Sequence, residues 1–242
     1  MNILRILKNA FETYTNSLLI TMLGSTVLFV VIFAIYVLIL PILFGLPIND
    51  ISNMAINNKE GLLQLVSMPR FQIKLNLFIL LINCIIAPMA AGFYKIFDKV
   101  RNKEQVKNKF LFSYYNSSYT ARILGFVVVI EVLKQFVVFV LSWIGMGNFG
   151  FSTSIIISLL FILTIPFIIF DNQPLMEAMK QSSRKVSPFM FTALVVLFVG
   201  IAFSFLGLLL FVFGVVFTLP FFYAVNYNLY LIVNENKNFK NN

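Results

Sequence analysis

The chain has 242 residues, of which 60% are hydrophobic and 11% charged, with 29 Phe and a mean hydropathy of +0.93, whereas soluble domains carry roughly 25% charged residues. Too little polar sequence remains to clothe a water-soluble core, so the composition excludes a soluble fold and predicts an all-α polytopic membrane protein, one integral membrane domain over residues 1–242. There is no His and a single Cys, Cys84, which excludes histidine-ligated metal centres, histidine-based triads and an internal disulfide; no metal or other cofactor is expected.

Residues 1–15 read as an amphipathic helix, with Ile3, Ile6, Leu7, Ala10, Phe11 and Tyr14 on one stripe and Arg5, Lys8, Asn9 and Glu12 opposite. Such a helix lies in the headgroup plane. Crossing a core of ~30 Å takes about 20 apolar residues in a helix, and the first span falls near 18–40. Its apolar run exceeds a secretory h-region and no small-residue cleavage site follows, so it is expected to be retained. Span two lies near 73–94 and contains Pro88. A second amphipathic helix over 104–114, with Val106, Phe110 and Tyr114 four residues apart, leads into span three near 123–143. Span four, near 152–170, contains Pro166.

Asp171-Asn172-Gln173-Pro174 is a helix start signal. Leu175, Met176, Ala178 and Met179, set among Glu177, Lys180 and Arg184, then form a third interfacial helix that stops at Ser187-Pro188. From 189 to 233 there are 45 residues without a charge. As one helix they would extend about 67 Å, twice the core thickness. They therefore fold back as spans five, near 189–209, and six, near 212–233, with the turn between Leu206 and Gly214. Pro220 lies in span six.

The pattern repeats three times: an amphipathic segment, an apolar span, then a span with one proline followed by aromatics. The aromatics are Phe93 and Tyr94, Phe167 and Phe170, and Phe221, Tyr223 and Tyr227. Lys and Arg counts set orientation. The amino terminus carries Arg5 and Lys8, the second loop Lys95 to Arg122, the fourth Lys180, Arg184 and Lys185, and the tail Lys237 and Lys240, in all 14 of the 18 basic residues. Both termini are expected in the cytoplasm.

The third unit resembles a known family. Phe170-Asp171-Asn172-Gln173-Pro174, Glu177-Ala178-Met179, Ser182-Ser183, Leu219-Pro220-Phe221 and the stretch from Tyr223 to Tyr230 are similar to the YciC-like bacterial inner-membrane proteins. These are related to the membrane domain of some glycerophosphodiester phosphodiesterases. The resemblance covers about residues 158–233 and implies six helices in a bacterial cytoplasmic membrane. It brings no catalytic residue, because that family has no established activity.

Glu131 and Lys134, three residues apart in the middle of span three, share a helical face. Ionisable groups at that depth are costly and mark sites by default; the alternatives are a self-neutralising packing pair and a titrating transport site. The remaining polar positions within the spans are Asn83, Thr164, Ser204, Thr218 and Asn226. Tyr223, Tyr227 and Tyr230, like Trp143, read as an interfacial belt, and the acids Asp98, Glu104, Asp171 and Glu177 as a solvated charged face. No catalytic constellation is present, so an enzyme is not expected. The 18 Lys and Arg against 9 Asp and Glu would draw polyanions, but in a membrane chain basic residues hold loops in the cytoplasm and meet anionic headgroups. Arg5, Lys8, Arg101, Lys103, Lys107, Lys109, Lys180, Arg184 and Lys185 are therefore the expected contacts for anionic lipid or a protein partner, and nucleic acid is not expected. A small transporter using Glu131 and Lys134 is the other reading.

Overall fold

The computed structural model describes residues 3–209 and 214–235. It is all-α, and six of its helical segments are long and apolar enough to cross a membrane: an all-α polytopic membrane protein. The helices are α1 (Ile3–Phe44), α2 (Ile48–Asn57), α3 (Lys59–Ser67), α4 (Pro69–Arg101), α5 (Thr120–Trp143), α6 (Gly150–Leu160), α7 (Thr164–Phe170), α8 (Leu175–Val186), α9 (Met190–Leu209) and α10 (Gly214–Glu235). They form two compact units, one of Met1–Ser25 with Ala87–Asn242, the other Thr26–Ile86.

The smaller unit contains α2 and α3, which lie in the first loop and have no counterpart in the sequence reading. Asn58 caps α3 by accepting from the Gly61 amide at 3.0 Å. The core of this unit is Leu43, Phe71 and Phe78, with edge-on aromatic pairs Phe44–Phe71 and Tyr36–Phe78 at 4.7 and 5.2 Å.

In the larger unit α10 is the inner span: 78% of its apolar stretch is buried, against 39% of the fourth span, 22% of the fifth and 17% of α5. Aromatic rings join it to α4 and α7: Phe93 stacks on Tyr223 at 5.2 Å, Phe97 meets Tyr227 at 6.0 Å, and Phe170 meets both Tyr227 and Tyr230 at 5.8 and 5.5 Å. Within this unit α10 thus lies between α4 and α7. The three tyrosines are no interfacial belt, since each is at least nine-tenths buried.

Helix α9 pairs with α10 through a reciprocal clasp. The Thr218 hydroxyl donates to the Ser204 carbonyl at 2.7 Å, and the Ser204 hydroxyl to the Thr218 carbonyl at 3.3 Å. A Cβ on Gly207 would stand 2.4 Å from the Gly214 carbonyl, so the close approach requires glycine. Part of the expected turn, residues 210–213, lies outside the described residues, as do Lys237 and Lys240.

Two further expectations need correction. Residues 1–15 form no separate interfacial helix, because α1 runs unbroken from Ile3 to Phe44. The stripe Ile6, Ala10, Tyr14 continues as Ser17, Thr21 and Ser25, all buried, so one packed face spans the supposed junction. Each of the three hydroxyls is bonded to a carbonyl four residues back, which lets them lie buried.

Residues 104–114 are not an α-helix either; their only helical turn is a 3-10 turn, Asn108–Phe110. The segment folds back along α4, with the fully buried Leu111 against Gly92 and Gly24, whose missing side chains make the room. Lys95 reaches Ser113 at 3.4 Å and lies over the rings of Phe110 and Tyr114. Burial, with Tyr119 and Asp98 adding to it, pushes the Tyr114 hydroxyl up to about 12, so it stays neutral in any cell.

Span four is broken between α6 and α7, at Phe161–Leu163. Pro166 has no amide to give the preceding turn. Ser182 of α8 repairs the gap: its hydroxyl donates to the Leu160 carbonyl at 2.8 Å and accepts from the Leu163 amide at 3.2 Å. Irregular backbone inside a span is tolerable only where protein satisfies it in this way.

Candidate functional site

The ends of four chain segments meet at one end of the larger unit. Glu235, in the last turn of α10, pairs with Arg5 of α1 at 3.6 Å and with Arg101 of α4 at 3.4 Å. Lys185 of α8 donates to the Asn234 side chain at 2.8 Å and lies 3.4 Å from the Val233 carbonyl. Arg122, at the start of α5, reaches Asn172 and the Gln173 carbonyl at 3.0 and 3.2 Å. These bonds gather the amino terminus, the second and fourth loops and the end of α10.

Of the nine expected basic contacts, Arg5, Arg101 and Lys185 are tied into this cluster. Lys180 pairs loosely with Glu177 at 3.9 Å. Lys8, Lys103, Lys107, Lys109 and Arg184 are exposed and make no ion pair with a described carboxylate. Exposed pairs of the Arg5–Glu235 kind contribute about 0–1 kcal/mol, so the cluster fixes positions more than it adds stability.

Two acids expected on a solvated face have structural partners. The Tyr227 hydroxyl donates to Asp98 at 3.0 Å and the Tyr230 hydroxyl to Asp171 at 2.7 Å. The sequence signal was present, since tyrosines three residues apart on a buried helix require two acceptors where neighbouring spans end.

Glu131 and Lys134 are paired as expected, with the ammonium donating to the carboxylate at 2.6 Å and both side chains largely buried. Of the other polar positions in the spans, Ser204 and Thr218 hold the clasp, while the Thr164 hydroxyl and the Asn226 carbonyl oxygen are buried without a hydrogen-bond partner. Among the described residues no three His, Cys, Asp or Glu side chains gather at one place. Comparison with family models, with curated proteins and with solved structures gives no match.

Proposed function

We propose that this chain is a non-enzymatic protein of the bacterial cytoplasmic membrane, both termini inside, whose basic face binds anionic lipid and takes part in organising the membrane or envelope. The observation that carries the reading is the gathering of Arg5, Arg101 and Lys185 at one end of the larger unit, beside the exposed Lys8, Lys103, Lys107, Lys109 and Arg184. The excess of Lys and Arg in these segments supports a cytoplasmic location for that end. The resemblance to the YciC-like proteins and the threefold hairpin pattern, whose proline-bearing spans are the more buried, belong to the same reading.

Each basic residue near an anionic surface contributes about 1 kcal/mol and acts only within a Debye length of ~8–10 Å. Purified protein in nanodiscs is therefore expected to retain anionic over zwitterionic lipid at low salt and to lose that preference at high salt. Equal retention at low salt would leave these residues with a purely topogenic role. Reporter fusions after Gly147 and after Asn242 should report opposite compartments.

A further inference from the structure

A polar cleft of about 350 Å³ opens at this same end, lined by Asn9 to Asn16 of α1, the last turn of α4 and the inner helix α10. Glu12, on α1, and Lys103, just past the end of α4, both line it, and neither forms an ion pair with a described residue. Arg101 lies beside Lys103; its 3.4 Å contact with Glu235 uses one amino group and leaves other donors of the guanidinium fork.

Asn228 forms part of the wall and is more than nine-tenths buried. Its amide group donates to the Ala224 carbonyl at 2.9 Å and to the Thr13 hydroxyl at 3.3 Å. That fixes the amide orientation and leaves the Asn228 oxygen as an acceptor with no described donor. The cleft lining thus combines an anion and an amide acceptor, Glu12 and Asn228, with two cations, Arg101 and Lys103. None of its lining residues is aromatic.

Lys103 has a second peculiarity. Its φ is +55°, the left-handed conformation that terminates a helix, with its amide bonded to the Val100 carbonyl and that of Glu104 to Lys99. Glycine is the residue that takes this position without steric cost, and a lysine there costs about 1 kcal/mol. The conformation alone gives no reason to carry a long cation at this point; the cleft does.

We propose that this cleft binds the headgroup of an ethanolamine phospholipid, its primary ammonium on Glu12 and Asn228 and its phosphate on Lys103 and Arg101. The choice between headgroups follows from donor chemistry. A primary ammonium has three N–H donors for a carboxylate and an amide oxygen, whereas a quaternary ammonium has none and is recognised by aromatic faces, which this cleft lacks. A glycerol headgroup brings no cation to Glu12. The proposal rests on the reading that this end of the unit meets the lipid headgroups; it adds a discrete, zwitterion-selective site to a diffuse basic face.

The test is native mass spectrometry of the full chain in detergent, titrated with phosphatidylethanolamine, phosphatidylcholine and phosphatidylglycerol of identical acyl chains. Ethanolamine lipid should be retained at least about fivefold over choline lipid, the scale of one charge-assisted bond. Glu12→Gln should bring that ratio close to one while leaving glycerol lipid retained. Lys103→Gly should weaken ethanolamine and choline lipids alike without lowering the melting temperature, because glycine suits the left-handed position. Equal retention of the two zwitterionic lipids by the wild type, or an unchanged ratio in Glu12→Gln, overturns the site. Displacement of the lipid by an equal concentration of free phosphoethanolamine overturns the lipid as the source of the headgroup. Loss of glycerol-lipid retention at low salt with the ethanolamine preference intact would sink the basic face alone.

Discussion

The phenolic hydroxyl of Tyr230 donates to the carboxylate of Asp171 at 2.7 Å, fastening the end of the sixth span to the end of the fourth. Three residues earlier on α10, Tyr227 makes the corresponding bond to Asp98 at the end of the second. Each phenol is wrapped in rings from the helix it bonds, Phe167 and Phe170 for Tyr230 and Phe97 for Tyr227. The inner helix is thus held to both neighbours by a ring contact and a polar contact side by side.

Hydrogen bonds to charged groups contribute about 1.5–3 kcal/mol. Tyr230→Phe should lower the unfolding free energy in detergent by an amount in that range, read as a lower melting temperature, because the ring contacts survive and the bond does not. Asp171→Asn retains an acceptor oxygen and should cost less. A Tyr230→Phe protein that melts with the wild type would show that this bond adds nothing to the packing around it.

A methyl group at Gly92 would stand 2.2 Å from the carbonyl oxygen of Leu111, which is backbone and cannot swing aside. At Gly125 it would meet only the tip of Leu175 at 3.3 Å. Overpacking commonly costs about 1–3 kcal/mol. Gly92→Ala should therefore destabilise strongly, and Gly125→Ala should be near neutral. Limited proteolysis within 104–119 would report the same thing locally, with faster cleavage in Gly92→Ala. Equal stability of the two variants would mean that the folded-back loop is not held against α4.

Thr164 and Ser182 are both fully buried hydroxyl residues, yet their removal should act in opposite directions. Ser182→Ala strands the Leu160 carbonyl and the Leu163 amide, the two backbone groups it serves, at about 1–3 kcal/mol for a stranded group. Thr164→Val removes a hydroxyl that has no partner and keeps the shape, so the melting temperature should rise. Opposite shifts are the expected result, and a loss of stability in Thr164→Val would reveal a partner for that hydroxyl.

The six crossings were legible because length and hydropathy alone determine them. Which face of each helix turns inward was not. In a lipid-facing helix such as α5, Val132, Phe136 and Phe139 are as apolar as the buried Ile123 and Val127, so no 3.6-residue alternation marks the packed side. The tyrosines of α10 misled for a related reason: an aromatic near a span end reads as a headgroup anchor unless its hydroxyl partner, here on a distant segment, is known. The amphipathic pattern of 1–15 was real, with Ile6, Ala10 and Tyr14 buried, but it faces protein. The charge pair on α5 was legible, since three-residue spacing on one helix fixes it locally.

That pair supplies the last prediction. Lys134 donates to Glu131 at 2.6 Å, with side chains 20% and 14% exposed, so neither charge is screened as a surface group would be. Removing one partner of such a pair commonly costs ~3–5 kcal/mol, because the remaining charge loses its compensation, whereas removing both can be neutral. If the pair serves packing, Lys134→Met alone should lower the melting temperature in detergent more than the double change Glu131→Gln with Lys134→Met. The double variant should also keep the lipid retention of the wild type, because the basic face lies elsewhere. A double variant at least as damaged as Lys134→Met would overturn the packing role and direct attention to a titrating carboxylate within the membrane, which measuring proton uptake by reconstituted protein would then test.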